Sequence, residues 1–359
     1  MKTIGIICGG KSAEHEVSLI SAQNVLKELP ADLYQSVVIG IDKQGGWWLY
    51  PDINAFVNPT DLKRIGLAPG AQKITLELQG KIIALSDGQE LAKVDVVFPV
   101  LHGSYGEDGT MQGLLRMLDI PFVGPDVLAS AACMDKDITK KLLAAHNLPI
   151  VPYRIAYTEK EALENFNTYV NDLGLPFFIK PANQGSSVGI HKVKDETSFK
   201  SAVRDAFSFD KKILIEKYIA GREIECAVLG NEEPRASVLG EIIPQHEFYS
   251  YEAKYLDDQG AILVAPADIE ITLMKKIQSF AIKAFQALGC EGMSRVDFFI
   301  TGEEIYINEI NTIPGFTKIS MYPRLWQLSG LEYPKLLQKL IELALIRYER
   351  QQKLNTSYK

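Results

Sequence analysis

Two stretches of this chain bring together residue types that could handle phosphate and a divalent metal ion. The first is Lys180-Pro-Ala-Asn-Gln-Gly-Ser-Ser-Val-Gly189, in which an apolar run, Pro176 to Ile179, leads into the lysine and a small-residue loop of Gly185, Ser186, Ser187 and Gly189 follows. Glycines let the main chain approach a ligand with no Cβ in the way, so the N–H groups and hydroxyls of such a loop can close over an anion. Taken alone, the stretch also fits an ordinary hairpin turn. The second runs from Arg295 to Asn311. In a strand from Ile305 to Asn311, Glu309 and Asn311 share a face because strand side chains alternate. Across a three-residue turn at Gly302 to Glu304, Asp297 pairs opposite Glu309 and projects to the same side. Two carboxylates and an amide oxygen, with no histidine or cysteine, are ligands suited to Mg²⁺. Arg295 shares that face and could neutralise developing negative charge. Without a phosphate loop beside it, the hairpin reads equally well as a solvated edge with scattered acids.

Basic residues supply the remaining electrostatics. Lys136 in Met134-Asp-Lys136, Lys180 and Lys254 are candidates for point-charge contacts with phosphate. Glu216-Lys217-Tyr218-Ile219 closes an apolar strand and could offer backbone hydrogen-bonding groups to an adenine edge, while Glu223, after the Gly221 turn, could accept ribose hydroxyls.

The elements that must hold these residues fall into three parts. Thr3 to Cys8 reads as an apolar strand, Gly9-Gly10 as a turn, and Ser12 as the cap of a helix through Val17, Leu19, Ile20 and Val25. With buried strands at Gln35 to Ile41 and Val94 to Leu101, this gives an alternating α/β region, 1–125. A central part, 126–215, starts with a helix through Leu142, Leu143 and Ala144. Strands at Pro176 to Lys180, Val188 to Val193, Ile213 to Ile219 and Glu223 to Leu229 then predict a mixed sheet over helices. The last part, 216–359, adds a helix from Leu273 to Leu288, the hairpin and a terminal helix from Tyr333 to about Arg350. Gly5-Ile-Ile-Cys-Gly-Gly10-Lys11-Ser12 satisfies the expression G-x-x-x-x-G-K-[ST], but its first glycine falls inside the apolar strand. Ile6, Ile7 and Cys8 would then be buried instead of wrapping phosphates, so we discard a P-loop. The turn does not spell G-x-G-x-x-G either, which leaves a dinucleotide fold without its fingerprint.

Composition bounds the function classes. At 359 residues with 47% hydrophobic content the chain can build more than one core. A net charge of −7 argues against a duplex nucleic acid partner, which needs a broad basic surface. Four scattered cysteines suggest reduced, buried thiols. No apolar run reaches the ~18 residues of a membrane span, and a cytoplasmic location is expected.

Seven motifs in order carry a family resemblance: Gly9-Gly-Lys-Ser-Ala-Glu14-His-Glu-Val-Ser18, His102-Gly-Ser-Tyr-Gly-Glu-Asp-Gly109, Met134-Asp-Lys136, the Lys180 loop, Glu252-Ala-Lys-Tyr255, Arg295-Val-Asp297 and Asn308-Glu-Ile-Asn-Thr-Ile-Pro-Gly315. Over essentially its whole length the chain resembles the D-alanine–D-alanine ligases of the ATP-grasp superfamily. That resemblance implies an ATP-grasp fold, α/β and α+β, with an N-terminal Rossmann-like α/β domain. It implies ATP, Mg²⁺ or Mn²⁺ as two ions, two D-alanine molecules and a homodimer. ATP would phosphorylate the carboxylate of a first D-alanine, and the amine of a second would attack the acyl phosphate. By the same resemblance Glu14 holds the first D-alanine ammonium, His102 lies near that substrate, and Ser186 and Tyr255 join Glu14 in fastening a loop around Tyr249 to Asp258. Arg295 and the Gly315 N–H stabilise the oxyanion, and Ser320 and Met321 receive the second carboxylate. Lys136, Lys180, Glu216, Lys217, Ile219, Glu223 and Lys254 contact the nucleotide, and Asp297, Glu309 and Asn311 hold the metal. Relatives that make D-alanyl-D-lactate or D-alanyl-D-serine differ mainly in the loop of Lys254-Tyr255, where tyrosine resembles the dipeptide-forming branch. A non-catalytic nucleotide sensor would be expected to lack a metal carboxylate or Arg295.

Overall fold

The computed structural model describes residues 1–59, 61, 63–245, 260–355 and 357. Lys254, Tyr255 and the loop expected around 249–258 lie outside the described residues.

Three larger sheets organise the chain. In the first, Lys2–Gly9 lies between Tyr34–Ile41 and Val96–Val100 with parallel register on both sides, and four antiparallel strands, Trp47–Tyr50, Gln72–Glu77, Lys81–Ala84 and Glu90–Lys93, extend one edge. The parallel core is the expected α/β start. Ile6, Ile7 and Cys8 are fully buried within it, which disposes of the P-loop reading. The first helix, His15–Glu28, starts later than a Ser12 cap predicts. Ser12 Oγ instead accepts the Glu14 N–H at 3.0 Å, and Glu14 occupies the cap position without capping, because its carboxylate is engaged elsewhere.

The strands expected to make one mixed sheet divide between two. One is ordered Tyr153–Ala156, Ile213–Lys217, Phe177–Pro181, His191–Val193; the other Ala261–Val264, Arg235–Pro244, Arg222–Gly230, Gly292–Thr301, Glu304–Asn311. Every pairing in both is antiparallel. The loop from Pro181 to His191 is shorter than the dozen or so residues that a parallel crossover needs. It also takes up Val188 to Ile190, so the strand expected from Val188 begins only at His191. The helix Glu196–Phe209 covers the first of these sheets around Phe177, Phe199 and Ile215, and Ile271–Ala287 covers the second around Ile277, Phe285 and Val296. A shared core joins Ile6 and Phe98 of the first sheet to Phe316, Tyr322 and Leu337 near the C-terminus, with Phe98 edge-on to Phe316 at 5.7 Å. Burying these rings together ties the N-terminal sheet to the C-terminal segment through apolar area.

Candidate active site

The hairpin delivers its acids by a route other than the expected one. Thr301 pairs with Glu304, so the turn has two residues, and Gly302 takes the left-handed conformation at φ 57°. A register shift between Asp297 and Phe298 leaves Asn308 as an extra residue, and this bulge, not a longer turn, sets Asp297 opposite Glu309. Arg295 pairs with Asn311 one step along the same face. The Arg295 guanidinium grips Asp297 with two hydrogen bonds of 2.7 Å and lies 3.2 Å from Glu225 on the neighbouring strand. Burial works against the charge on Arg295, but Asp297 and Glu225 overcome it and raise its pKa. Asn311 Nδ2 donates to Asp297 at 2.9 Å. Among the described residues no three His, Cys, Asp or Glu side chains gather as a ready metal cluster. Two carboxylates and an amide on one face nevertheless fit a hard cation that keeps waters in its shell.

Opposite this face, Glu14 and Ser186 meet although 172 residues separate them, with Ser186 Oγ donating to Glu14 Oε1. Ser186 and Ser187 have φ of 48° and 62°, a strained conformation for non-glycine residues that concentrates at working sites. The main chain comes close on two sides. A Cβ on Gly103 would fall 2.6 Å from Glu14 Oε2, and one on Gly185 would fall 3.1 Å from it. Glu107, half-buried nearby, accepts from the Gly103 N–H at 2.8 Å and the Ile313 N–H at 3.1 Å. Burial, with the Glu14 charge beside it, pushes its pKa up to about 8 against the pull of those amides and Arg295.

Ser320 and Met321 stand where the helix Met321–Leu328 begins. The Ser320 hydroxyl accepts from the Thr317 N–H at 2.9 Å and lies 2.8 Å from Thr317 Oγ1. The Met321 side chain is buried against Gly240, so this residue can face a ligand only through its backbone N–H at the helix N-terminus, a natural seat for a carboxylate. Among the described residues the Gly315 N–H makes no hydrogen bond. A single cavity of about 230 Å³ is lined by Glu14, His102, Ser186, Glu223, Arg295, Asp297, Glu309, Asn311, Gly315, Ser320 and Met321.

The nucleotide candidates form a second group beside the bulge. Lys180 reaches both Glu216 and, at 3.4 Å, Asn308 Oδ1. Lys136, the first residue of the helix Lys136–Ala145, donates to Gln184 O at 2.6 Å and so reaches the loop that carries Ser186. The Glu216 carboxylate is buried between Lys180 and Lys140, the latter at 2.7 Å. Burial alone would raise its pKa, but the two ammonium groups dominate and hold it at about 2. Lys217 is exposed, Ile219 and Glu223 are half-buried, and the Lys217 N–H is bonded to Pro152 O at 2.9 Å.

Three residues escaped the sequence reading. Lys140 stands one helical turn from Lys136, a spacing that places both on one face and could have flagged it. Glu225 follows Glu223 at strand period and pairs with Asp297. Glu107 sits inside the His102–Gly109 motif, but nothing in its spacing says that its carboxylate reaches Ile313.

The family pattern described as D-ala D-ala ligase N-terminus matches residues 3–125, and that described as D-ala D-ala ligase C-terminus matches residues 142–342. The chain is 52% identical to the D-alanine–D-alanine ligase of Oceanobacillus iheyensis over 367 aligned positions, covering 99% of this chain and 98% of that protein. It is 50% identical to the Proteus mirabilis D-alanine–D-alanine ligase, covering 98% of each. Among solved structures, the D-alanine–D-alanine ligase of Coxiella burnetii superposes with a TM-score of 0.87 at 42% identity, covering 98% of this chain and 96% of that one. The VanG D-Ala:D-Ser ligase of Enterococcus faecalis superposes with a TM-score of 0.83 at 36% identity, covering 96% and 99%. On both halves of its sequence and on its fold, the chain belongs to the D-alanine–D-alanine ligase family.

Proposed function

We propose that this protein joins two D-alanine molecules into D-alanyl-D-alanine at the expense of ATP, through a D-alanyl phosphate, supplying a precursor of peptidoglycan. The observation that carries the reading is the meeting of Glu14 and Ser186 in one cavity with the Arg295–Asp297–Glu309 face. An ammonium-binding carboxylate there faces groups suited to a migrating phosphoryl group. The task is to position two small molecules and stabilise charge, which needs no covalent nucleophile. Ser186 accordingly orients Glu14.

In this mechanism Glu14 binds the ammonium of the first D-alanine and aims its carboxylate across the cavity. Lys136 and Lys180 contact the nucleotide phosphates. Glu216 holds Lys180 in place through its carboxylate, and its backbone, with Lys217 and Ile219, lies along the adenine while Glu223 takes the ribose. Asp297, Glu309 and Asn311 would hold Mg²⁺ or Mn²⁺, two ions by the family resemblance, whose charge when bound offsets that on the transferring phosphoryl group. Arg295 and the Gly315 N–H stabilise the oxyanion formed when the second amine attacks, and the helix start at Ser320 and Met321 seats the second carboxylate. Tyr255 and Lys254 keep the roles the resemblance implies, closing the site and contacting the nucleotide. The three-part division at about residues 125 and 215, the homodimer and the cytoplasmic location belong to the same proposal. Among the described residues no helix is long and apolar enough to cross a membrane.

The dipeptide product is supported by 52% and 50% identity to D-alanine–D-alanine ligases over nearly the whole chain, while a D-alanine–D-alanine ligase at 28% falls below the D-Ala:D-Ser enzyme at 36%, so product analysis has to separate the two branches. With ATP, Mg²⁺ and D-alanine, we expect release of phosphate that requires all three, and a product of the mass and chirality of D-alanyl-D-alanine. ATP consumption indifferent to D-alanine would defeat the proposal. Preferential incorporation of D-serine or D-lactate, each offered alongside D-alanine, would move the protein to the sister branch.

A further inference from the structure

We infer that Ser21, His102 and Glu107 form a clamp that fixes the turn from Ile313 to Phe316 and that His102 works by position, with both ring nitrogens engaged inside the protein, instead of contacting the first D-alanine. The inference rests on the ligase reading for the importance of that turn, which carries Gly315 and begins two residues after Asn311.

Three backbone groups of the turn are gripped from the N-terminal region. Glu107 Oε1 accepts the Ile313 N–H at 3.1 Å, His102 Nδ1 lies 3.1 Å from Ile313 O, and Ser21 Oγ accepts the Phe316 N–H at 3.3 Å. For the neutral ring, which burial favours, the donor and acceptor roles then admit one arrangement. A carbonyl oxygen can only accept, so His102 must carry its proton on Nδ1, leaving a lone pair on Nε2. Ser21 Oγ lies 3.2 Å from that Nε2 and, already accepting from Phe316, has its own proton to donate there. Phe316 N–H to Ser21, Ser21 O–H to His102 and His102 N–H to Ile313 O thus form a closed relay, buried throughout.

The flanking side chains are anchored as well. Ile313 and Phe316 are both buried in the core shared with the first sheet. Ser21 lies on the helix His15–Glu28, whose cap residue is Glu14. One rigid piece therefore sets both the carboxylate for the first substrate and the turn bearing the oxyanion N–H. Burial lowers the His102 pKa, and Arg295 adds to that, against the opposing pull of Glu14 and the Ile313 carbonyl. Glu107 also stands in this neighbourhood, held by the Gly103 and Ile313 amides.

The first test uses the wild-type protein with ¹⁵N-labelled histidine, the His102 signals being assigned by their loss in His102→Asn. The expected result is a neutral Nδ1–H tautomer that is unchanged from pH 6 to 8 and unchanged by saturating D-alanine. An Nε2–H tautomer, or an Nε2 resonance that moves when D-alanine binds, would overturn the clamp. The second test separates kcat from KM. Loss of positioning in His102→Leu should lower kcat roughly 10- to 100-fold with KM for the first D-alanine within about twofold. His102→Asn, which returns an N–H donor near the place of Nδ1, should recover part of the loss, and Ser21→Ala should lower kcat in the same direction. A KM for the first D-alanine raised tenfold or more, with kcat retained, would make His102 a substrate contact and refute the inference. Absence of D-alanine-dependent phosphate release from the wild type would refute the ligase reading instead, while the histidine spectrum still decides the clamp.

Discussion

Replacing Glu309 by glutamine should leave the fold intact and lower turnover by on the order of 10²-fold or more, even at saturating Mg²⁺. Glu309 pairs with Asp297 across the hairpin, and together they are the two carboxylates of the proposed metal face. The amide has the same shape but no charge, so a divalent ion loses half of the carboxylate charge offered there by the proposed set. It also leaves Arg295 with one fewer acid nearby, since Glu309 contributes to raising its pKa. Phosphate release measured across a Mg²⁺ titration, with a thermal melt to establish folding, provides the check. Near wild-type release would remove Glu309 from the metal site.

Glu216→Gln is expected to act mainly through stability. The Glu216 carboxylate is 2% exposed between Lys140, itself 1% exposed, and Lys180. Removing the carboxylate that sits between two buried ammonium groups leaves Lys140 with the weaker pull of Glu309, a change that costs about 3–5 kcal/mol. The apparent melting temperature should fall by on the order of 10 °C. The pH dependence gives an independent readout. The folded-state pKa of Glu216, about 2, lies below its ordinary value of 4.5, so its stabilising contribution is complete above pH 4.5 and is lost as pH falls toward 2. Wild-type stability should decline across that window, and the glutamine variant should lack this part of the decline. Equal melting temperatures at neutral pH and parallel acid limbs would show that the cluster contributes nothing net.

Period and residue type made much of this legible in advance. Strand alternation identified Glu309 and Asn311 as neighbours on a face, and the apolar run from Ile4 to Cys8 correctly outweighed a P-loop expression. The pairing of Asp297 with Glu309 was also expected, but through a turn one residue too long. The actual two-residue turn needs the Asn308 bulge to restore the register, and bulges have no strong local signature in a single sequence. The Ser12 cap failed because a tertiary contact, Glu14 with Ser186, determines how the helix begins. Lys140, Glu107 and Ser21 were hidden for a related reason. Their partners Glu216, Ile313 and Phe316 lie far along the chain, and only the packed core brings them into reach.

In the proposed reaction the carboxylate of the first D-alanine attacks the γ-phosphorus of ATP before the peptide bond forms. D-alanine labelled with ¹⁸O in both carboxylate oxygens distinguishes this directly. If the acyl phosphate forms and the second amine then displaces phosphate at the carbonyl carbon, the bridging oxygen departs with phosphorus. Each phosphate released with a dipeptide should therefore carry a single ¹⁸O atom, and the new peptide carbonyl should keep the other. Unlabelled phosphate, accompanied by a dipeptide, would contradict the account.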